Sequence, residues 1–263
     1  MGEVVTRVAG SHRSVHVHGR RLIGTSVESV TARGKHLVIA FDNGWAARSH
    51  LGMTGSWHLY PLGARWRLSP GKARLVLQTA TKVGVCFAAP TVQIGPSAEI
   101  TRALERLGPD LIHDEVPWSD VIERARRSAA STVADLLLDQ EVMAGIGNVY
   151  KNEILFLQRM DPDTPLSLCS DETIVALGVR AQRLLTANAD RPRRSTTGRS
   201  GRDAASWVYG RAGRPCRRCG TTITVTGTDA GERLTYWCPS CQAPESSSSA
   251  GAISDLDRSE SNG

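Results

Sequence analysis

The sequence has no run approaching the roughly 20 apolar residues that a membrane-spanning helix requires, although 40% of its 263 residues are hydrophobic. No membrane partner is therefore expected, while enough apolar material remains to build cores. Residues 1–10 lack the apolar stretch of a signal peptide, so a soluble cytoplasmic protein is expected. No internal repeat is present. Acids are scarce between residues 191 and 218, where nine arginines meet one acid, Asp203. The net charge is +6, but from Ala243 onward four acids (Glu245, Asp255, Asp257, Glu260) meet one base, Arg258. That tail carries −3, which leaves +9 on residues 1–242. A basic body suits a phosphate-rich partner.

The length allows two domains. Residues 1–97 read as strand-rich, a sandwich or a barrel, with short β-branched or alternating stretches at 21–23, 27–30, 36–41, 45–50, 73–78 and 83–88. Asp42-Asn43-Gly44 is a hairpin signal, because Asn and Gly tolerate positive φ. Residues 98–190 change to helical spacing at 100–107, 118–127, 131–138, 149–157 and 171–189. Ser131 is the expected cap of the third helix, and Ser170 or Asp171 of the last. Asp135 reads as a solvated acid. Residues 191–207 read as a basic linker loop, 208–242 as a metal module and 243–263 as a disordered polar tail.

The most specific spacing is Cys216-Arg-Arg-Cys219, then 18 residues, then Cys238-Pro-Ser-Cys241. Two such pairs supply four thiolates to one tetrahedral Zn²⁺ in a closed, structural site. Gly220 suits the tight knuckle turn, and residues 223–226 and 234–237 read as a hairpin between the knuckles. Cys86 and Cys169 read as buried thiols. Arg211, Arg214, Arg217, Arg218 and Arg233 surround the module, and an arginine fork matches a phosphate or a base edge.

Three blocks carry a resemblance. They are Arg33-Gly-Lys-His-Leu37 with Ser49-His-Leu-Gly-Met-Thr-Gly55; residues 137–155, containing Ala144-Gly-Ile-Gly-Asn-Val-Tyr150; and Val208-Tyr-Gly-Arg-Ala-Gly-Arg-Pro-Cys216 running through the cysteine pairs to Gln242. In this order they resemble the formamidopyrimidine-DNA glycosylase and endonuclease VIII family. The resemblance implies an α+β fold: an N-terminal β-sandwich, a helical domain with a helix–two-turns–helix motif, and a C-terminal zinc-ribbon hairpin. It implies a base-excision-repair glycosylase with AP lyase activity on oxidised bases and abasic sites in double-stranded DNA, acting as a nucleoid-associated monomer. Lys35 and Arg233 are the implied catalytic pair, each contacting phosphate beside the lesion. Met53 is implied to fill the gap left by the extruded nucleotide. Gly147, Asn148, Tyr150, Arg211 and Arg233 complete the implied DNA-binding set. Glu153 is expected to fix the motif internally; Asn148 alone reads as a plain helix cap, a role compatible with the phosphate contact that the resemblance favours.

The family opens with Met-Pro-Glu-Gly and a helix, its proline amine attacking C1′. This sequence opens Met1-Gly-Glu-Val-Val5. Gly2-Glu3 is superficially similar, but residues 2–8 run straight into the first expected strand. The expectation is that about 15–20 residues precede Met1, enough for one helix and a turn. An alternative is a damaged-DNA-binding protein lacking the nucleophile. The interval 186–198 departs from the family's purine-type loop and resembles the endonuclease VIII branch, which leans the substrate towards oxidised pyrimidines.

Overall fold

Residues 2–112, 115–191, 193–199, 201, 204–227 and 233–243 are described by a computed structural model of the protein. Eight strands form two antiparallel sheets. One sheet holds β1 (Arg7–Ala9), β6 (Ala73–Gln78), β7 (Lys82–Phe87) and β5 (Ser56–Pro61), in that order. The other holds β2 (Val27–Arg33), β3 (His36–Phe41), β4 (Trp45–His50) and β8 (Thr91–Pro96). Ile39, Phe41, Ala47, Val92 and Ile94 of the second sheet meet Leu75, Leu77 and Cys86 of the first in one buried core. The opposite face of β6 and β7 buries Val76, Val85 and Phe87 beneath Trp66 and Leu68. The expected β-sandwich is therefore present, with apolar residues on both sides of its central strands.

The Asp42-Asn43-Gly44 turn joins β3 to β4 as expected. Gly44 has φ +76, and the Asn43 side chain accepts from the Trp45 N–H at 3.2 Å. Other details differ from the sequence reading. Residues 21–23 are not a strand: Gly19–Leu22 is a 3-10 turn that buries Leu22. It follows a short helix, α1 (Arg13–His18), that the sequence reading lacked. Strands β5 and β8 were also absent from that reading. Pro61 and the Gly95-Pro96 pair end these strands and weaken their sequence signal.

Five helices follow: α2 (Ser97–Glu105), α3 (Trp118–Arg127), α4 (Val133–Leu138), α5 (Asn148–Leu157) and α6 (Asp171–Thr186). Ser170 caps α6, accepting from the Thr173 N–H. The cap of α4 is Thr132 rather than Ser131. Its hydroxyl and the Asp135 carboxylate exchange bonds with each other's backbone N–H in a capping box. Asp135 thus holds a helix end and is not simply solvated. Leu136, Leu137, Met143, Ile146, Ile154, Ile174 and Leu177 form the helical core. Among the described residues no helix is long and apolar enough to cross a membrane.

The last element is the hairpin of β9 (Thr224–Thr226) and β10 (Thr235–Trp237), with Tyr236 opposite Val225. It lies between the two cysteine pairs, where the sequence placed it. The expected polar tail, apart from Ala243, lies outside the described residues.

Candidate nucleic-acid interface

The β2–β3 turn is Gly34-Lys35, and it docks on the helical region. Gly34 has φ +57, and a Cβ there would lie 3.1 Å from the Ala144 Cβ. Only glycine combines this backbone with such close approach. Its N–H donates to the Asp110 carboxylate. Lys35 then projects Nζ to the Ile146 carbonyl at 3.0 Å. Gln140 donates to the same carbonyl at 3.0 Å, and its Oε1 accepts from the Gly145 N–H at 3.2 Å. The α4–α5 connection is thereby pinned on both sides.

Around Lys35 the charge is of one sign. Burial, and then Arg233, push its pKa down to about 8. His36 is pushed down to about 4 by burial, then by His50, Arg48 and Lys35. His50 is lowered by burial, then by Lys35, Arg48 and Arg233. The His36 and His50 rings lie 5.0 Å apart. The His36 Nδ1 and Arg48 Nε atoms are buried without a hydrogen-bond partner. A sandwich turn, a strand face and the hairpin arginine therefore share one positive potential, which an anion would relieve.

Helix α5 holds the hairpin. Asn148 Nδ2 donates to the Leu234 carbonyl at 3.0 Å. Asn152 Oδ1 accepts from the Tyr236 N–H at 2.7 Å, and Lys151 Nζ donates to Thr235 Oγ1 at 2.7 Å. Gly147, not Asn148, is the helix cap, so Asn148 is a bridge to the hairpin and the plain-cap reading is corrected. Its Oδ1 is buried and unpartnered. On the far side of α5, the Glu153 carboxylate accepts from the N–H groups of Trp207, Val208 and Tyr209 at 2.8–2.9 Å, and from the Thr196 hydroxyl. It organises the chain entering the metal module, the internal role expected of it.

The four cysteine Sγ atoms lie within 4.8 Å of one another. Cys216 and Cys241 are 3.9 Å apart, and Cys219 and Cys238 are 3.5 Å apart. A tetrahedron of Zn–S bonds near 2.3 Å has edges of about 3.8 Å, so the set fits zinc. The N–H groups of Arg218 and Cys241 point at Cys216 and Cys238 sulfurs and favour the thiolate form. The cluster is a structural site for one zinc ion. The ion would cross-link both knuckles where the local core is small: Phe156, Val208, Cys216, Ile223 and Cys238. Cys86 and Cys169 are buried and unpaired.

The other expected site residues fall in differing surroundings. Met53 is 76% exposed at the tip of a turn between β4 and β5. A Cβ at Gly52, whose φ is +59, would sit 2.9 Å from Pro90 Cγ, so the tip is shaped by its glycine. Gly147 has open space where a Cβ would be. Tyr150 is buried in the helical core, with Arg194 5.6 Å over its ring. Arg233 is exposed. Arg211 is turned inward: it is buried and donates to the carbonyls of Trp207 and Pro215. Its fork closes the loop into the module rather than standing free. Gly2 and Glu3 are committed elsewhere, the Gly2 N–H to the Val27 carbonyl and the Glu3 carboxylate to Thr79 and Thr81.

Residues 2–91 match the formamidopyrimidine-DNA glycosylase N-terminal domain, 107–199 the formamidopyrimidine-DNA glycosylase H2TH domain, and 213–244 the zinc finger found in FPG and IleRS. The chain is 42% identical to probable endonuclease 8 2 of Streptomyces coelicolor, covering 84% of this chain and 81% of that one. The chain belongs to the formamidopyrimidine-DNA glycosylase and endonuclease 8 family. Within the family it is also 38% identical to DNA-(apurinic or apyrimidinic site) lyase Nei2 of Mycolicibacterium smegmatis, over 84% of each chain. The family fold is seen in Lactococcus lactis FPG bound to FAPY-dG-containing DNA, with a TM-score of 0.76 at 23% identity, over 92% of this chain and 94% of that one.

Asp110, Gln140, His50, Lys151 and Asn152 were not singled out from sequence. A signal existed for two of them. Asn148, Lys151 and Asn152 stand at i, i+3 and i+4, one polar face on a helix whose other residues are mostly apolar.

Proposed function

We propose that this protein is a base-excision-repair DNA glycosylase and AP lyase that acts on oxidised bases and abasic sites in double-stranded DNA. One observation carries the reading: the half-buried Lys35 ammonium of the sandwich turn and Arg233 of the zinc finger come together as like charges, burial and then Arg233 holding the Lys35 pKa down, and His50 lies under the influence of both. Such a group drawn from separate elements suits a bent phosphate backbone. Chemistry at C1′ requires the nucleotide to leave the stack. Met53, exposed and flexible, fills the vacated position. Lys35 and Arg233 hold the phosphates beside it, and Gly147 and Asn148 present the start of α5 to the backbone. Tyr150 lies two residues beyond Asn148 and supports this surface from below.

The amine nucleophile that the family resemblance assigns to an N-terminal proline is not among these residues. Their task is to grip, bend and orient. The relatives are named endonucleases and a lyase, which favours an enzyme over the DNA-binding alternative. The endonuclease 8 relatives and the 186–198 interval favour oxidised pyrimidines over purines. The protein would act as a monomer on nucleoid DNA in the cytoplasm.

Borohydride trapping on an abasic-site duplex tests the activity. Covalent capture is expected, because a Schiff base is reduced to a stable link. No capture sinks the lyase reading. Preferential excision of 8-oxoguanine opposite cytosine over thymine glycol would overturn the lesion assignment.

A further inference from the structure

We propose that Lys151 and Asn152 are positioning residues for the DNA grip of Arg233, acting through the backbone of β10. This rests on the reading that Arg233 contacts phosphate. The three residues after Arg233 are each held by one face of α5. Leu234 gives its carbonyl to Asn148 at 3.0 Å and to Asn152 at 3.4 Å. Thr235 gives its hydroxyl oxygen to Lys151 at 2.7 Å. Tyr236 gives its N–H to Asn152 at 2.7 Å. Asn152 is itself fixed by donating to the Asn148 carbonyl at 2.7 Å. The hairpin pairs over only three residues on each strand, so its own ladder fixes the direction of Arg233 weakly.

Lys151 is 1% exposed, and among the described residues no carboxylate lies within salt-bridge distance of its ammonium. Asp135, Asp139 and Asp163 line the same cleft as Lys151 and Arg233 but stand further off. Burying an unpaired ammonium opposes folding. A residue kept there against that cost, and aimed at the position two beyond the gripping arginine, serves geometry at the interface.

The test is a double-mutant cycle on binding to an abasic-site duplex, followed by fluorescence anisotropy at several salt concentrations. Arg233→Ala should weaken binding at least about tenfold and flatten the log–log salt slope by about 0.9, one phosphate contact. Lys151→Met should reproduce most of that loss and the flatter slope, although Lys151 cannot itself reach DNA. The double variant should bind no more weakly than Arg233→Ala alone. Thr235→Val should behave like Lys151→Met, and Thr235→Ser should restore parental binding. Zinc content should stay at the parental value throughout, and the melting midpoint should not fall; for Lys151→Met, which removes a buried charge, it should hold or rise. If Lys151→Met fails to retain zinc, the Thr235 pair decides. Parental binding by Lys151→Met and Thr235→Val, or losses that multiply in the double variant, would overturn the inference. Parental binding by Arg233→Ala would instead remove the reading of Arg233 itself, and this inference with it.

Discussion

Lys35 in the β2–β3 turn donates through Nζ to the carbonyl of Ile146 at 3.0 Å, so one side chain joins the sandwich to the α4–α5 connection. The same ammonium is half-buried and faces Arg233, and its pKa falls to about 8. A phosphate favours the charged form, so DNA binding draws a proton onto Lys35 wherever the free protein has lost it. Affinity for an abasic-site duplex should be flat below about pH 7.5 and should fall as pH rises through 8 towards 10. Lys35→Met should bind more weakly at pH 7 and lose the decline above pH 8. Anisotropy titrations across pH 6.5–9.5 at constant ionic strength measure this. An unchanged decline in Lys35→Met assigns the titration to another group.

The folding side of the same shift has the opposite sense. Because the folded pKa lies below the unfolded value near 10.5, the folded protein binds fewer protons between pH 8 and 10.5. This group alone therefore makes stability rise with pH over that window. Function and stability pull in opposite directions at Lys35, as expected where a charge is kept for a ligand rather than for the fold.

Glu153 is the buried acceptor for three backbone N–H groups and a hydroxyl. Glu153→Ala leaves the three N–H groups without a partner, while the Thr196 hydroxyl keeps the Ala205 carbonyl, and should cost about 3 kcal/mol or more. Urea denaturation of the zinc-loaded protein measures the loss. DNA affinity should fall with it, because residues 207–209 lead directly into the first cysteine pair. A loss below about 1 kcal/mol would mean that water or another residue replaces the carboxylate.

Much of this was legible in the sequence, for different physical reasons. The zinc site follows from thiolate spacing, because a tetrahedral ion accepts few other arrangements. The hairpin at Asp42-Asn43-Gly44 follows from local φ preference. Helix α1 was not legible: Val15 and Val17 alternate with histidines, which leaves no helical spacing of apolar positions. The six residues turn helical because Val15 drops into the sandwich core and His12 caps them. Residues 21–23 failed for the related reason that Leu22 is buried from a turn and not from a strand. Arg211 shows the other limit. Sequence identifies an arginine beside a metal module but not the direction of its fork, which two carbonyls decide. The Lys35–Ile146 bond joins positions 111 apart in sequence, and only the assembled fold reveals it.

Removing zinc should dismantle the finger selectively. Two of the five buried residues in its core, Cys216 and Cys238, are ligands, so little apolar packing remains without the ion. Chelation, or Cys238→Ser, should abolish specific binding to abasic-site DNA. The sandwich core around Phe41, Leu75 and Cys86 should persist, observed as retained β signal in far-ultraviolet circular dichroism. Full DNA affinity after verified metal loss would show that the finger does not hold Arg233 in place.

Met53 separates recognition from folding most cleanly. Its side chain is 76% exposed, so Met53→Ala should change stability by no more than about 0.5 kcal/mol. In DNA the same side chain is assigned to the gap left by the extruded nucleotide, where unstacking costs a few kcal/mol per step. Losing the wedge should therefore weaken binding to an abasic-site duplex about tenfold or more, with little effect on undamaged DNA, whose backbone contacts remain. The salt slope should be unchanged, because no phosphate contact is lost. Gly52→Ala is the companion variant: with φ +59 and Pro90 in the way, it should displace the wedge and also lower stability. Parallel melting and anisotropy measurements distinguish the two. Equal losses by Met53→Ala on damaged and undamaged duplexes would show that this side chain is not the wedge.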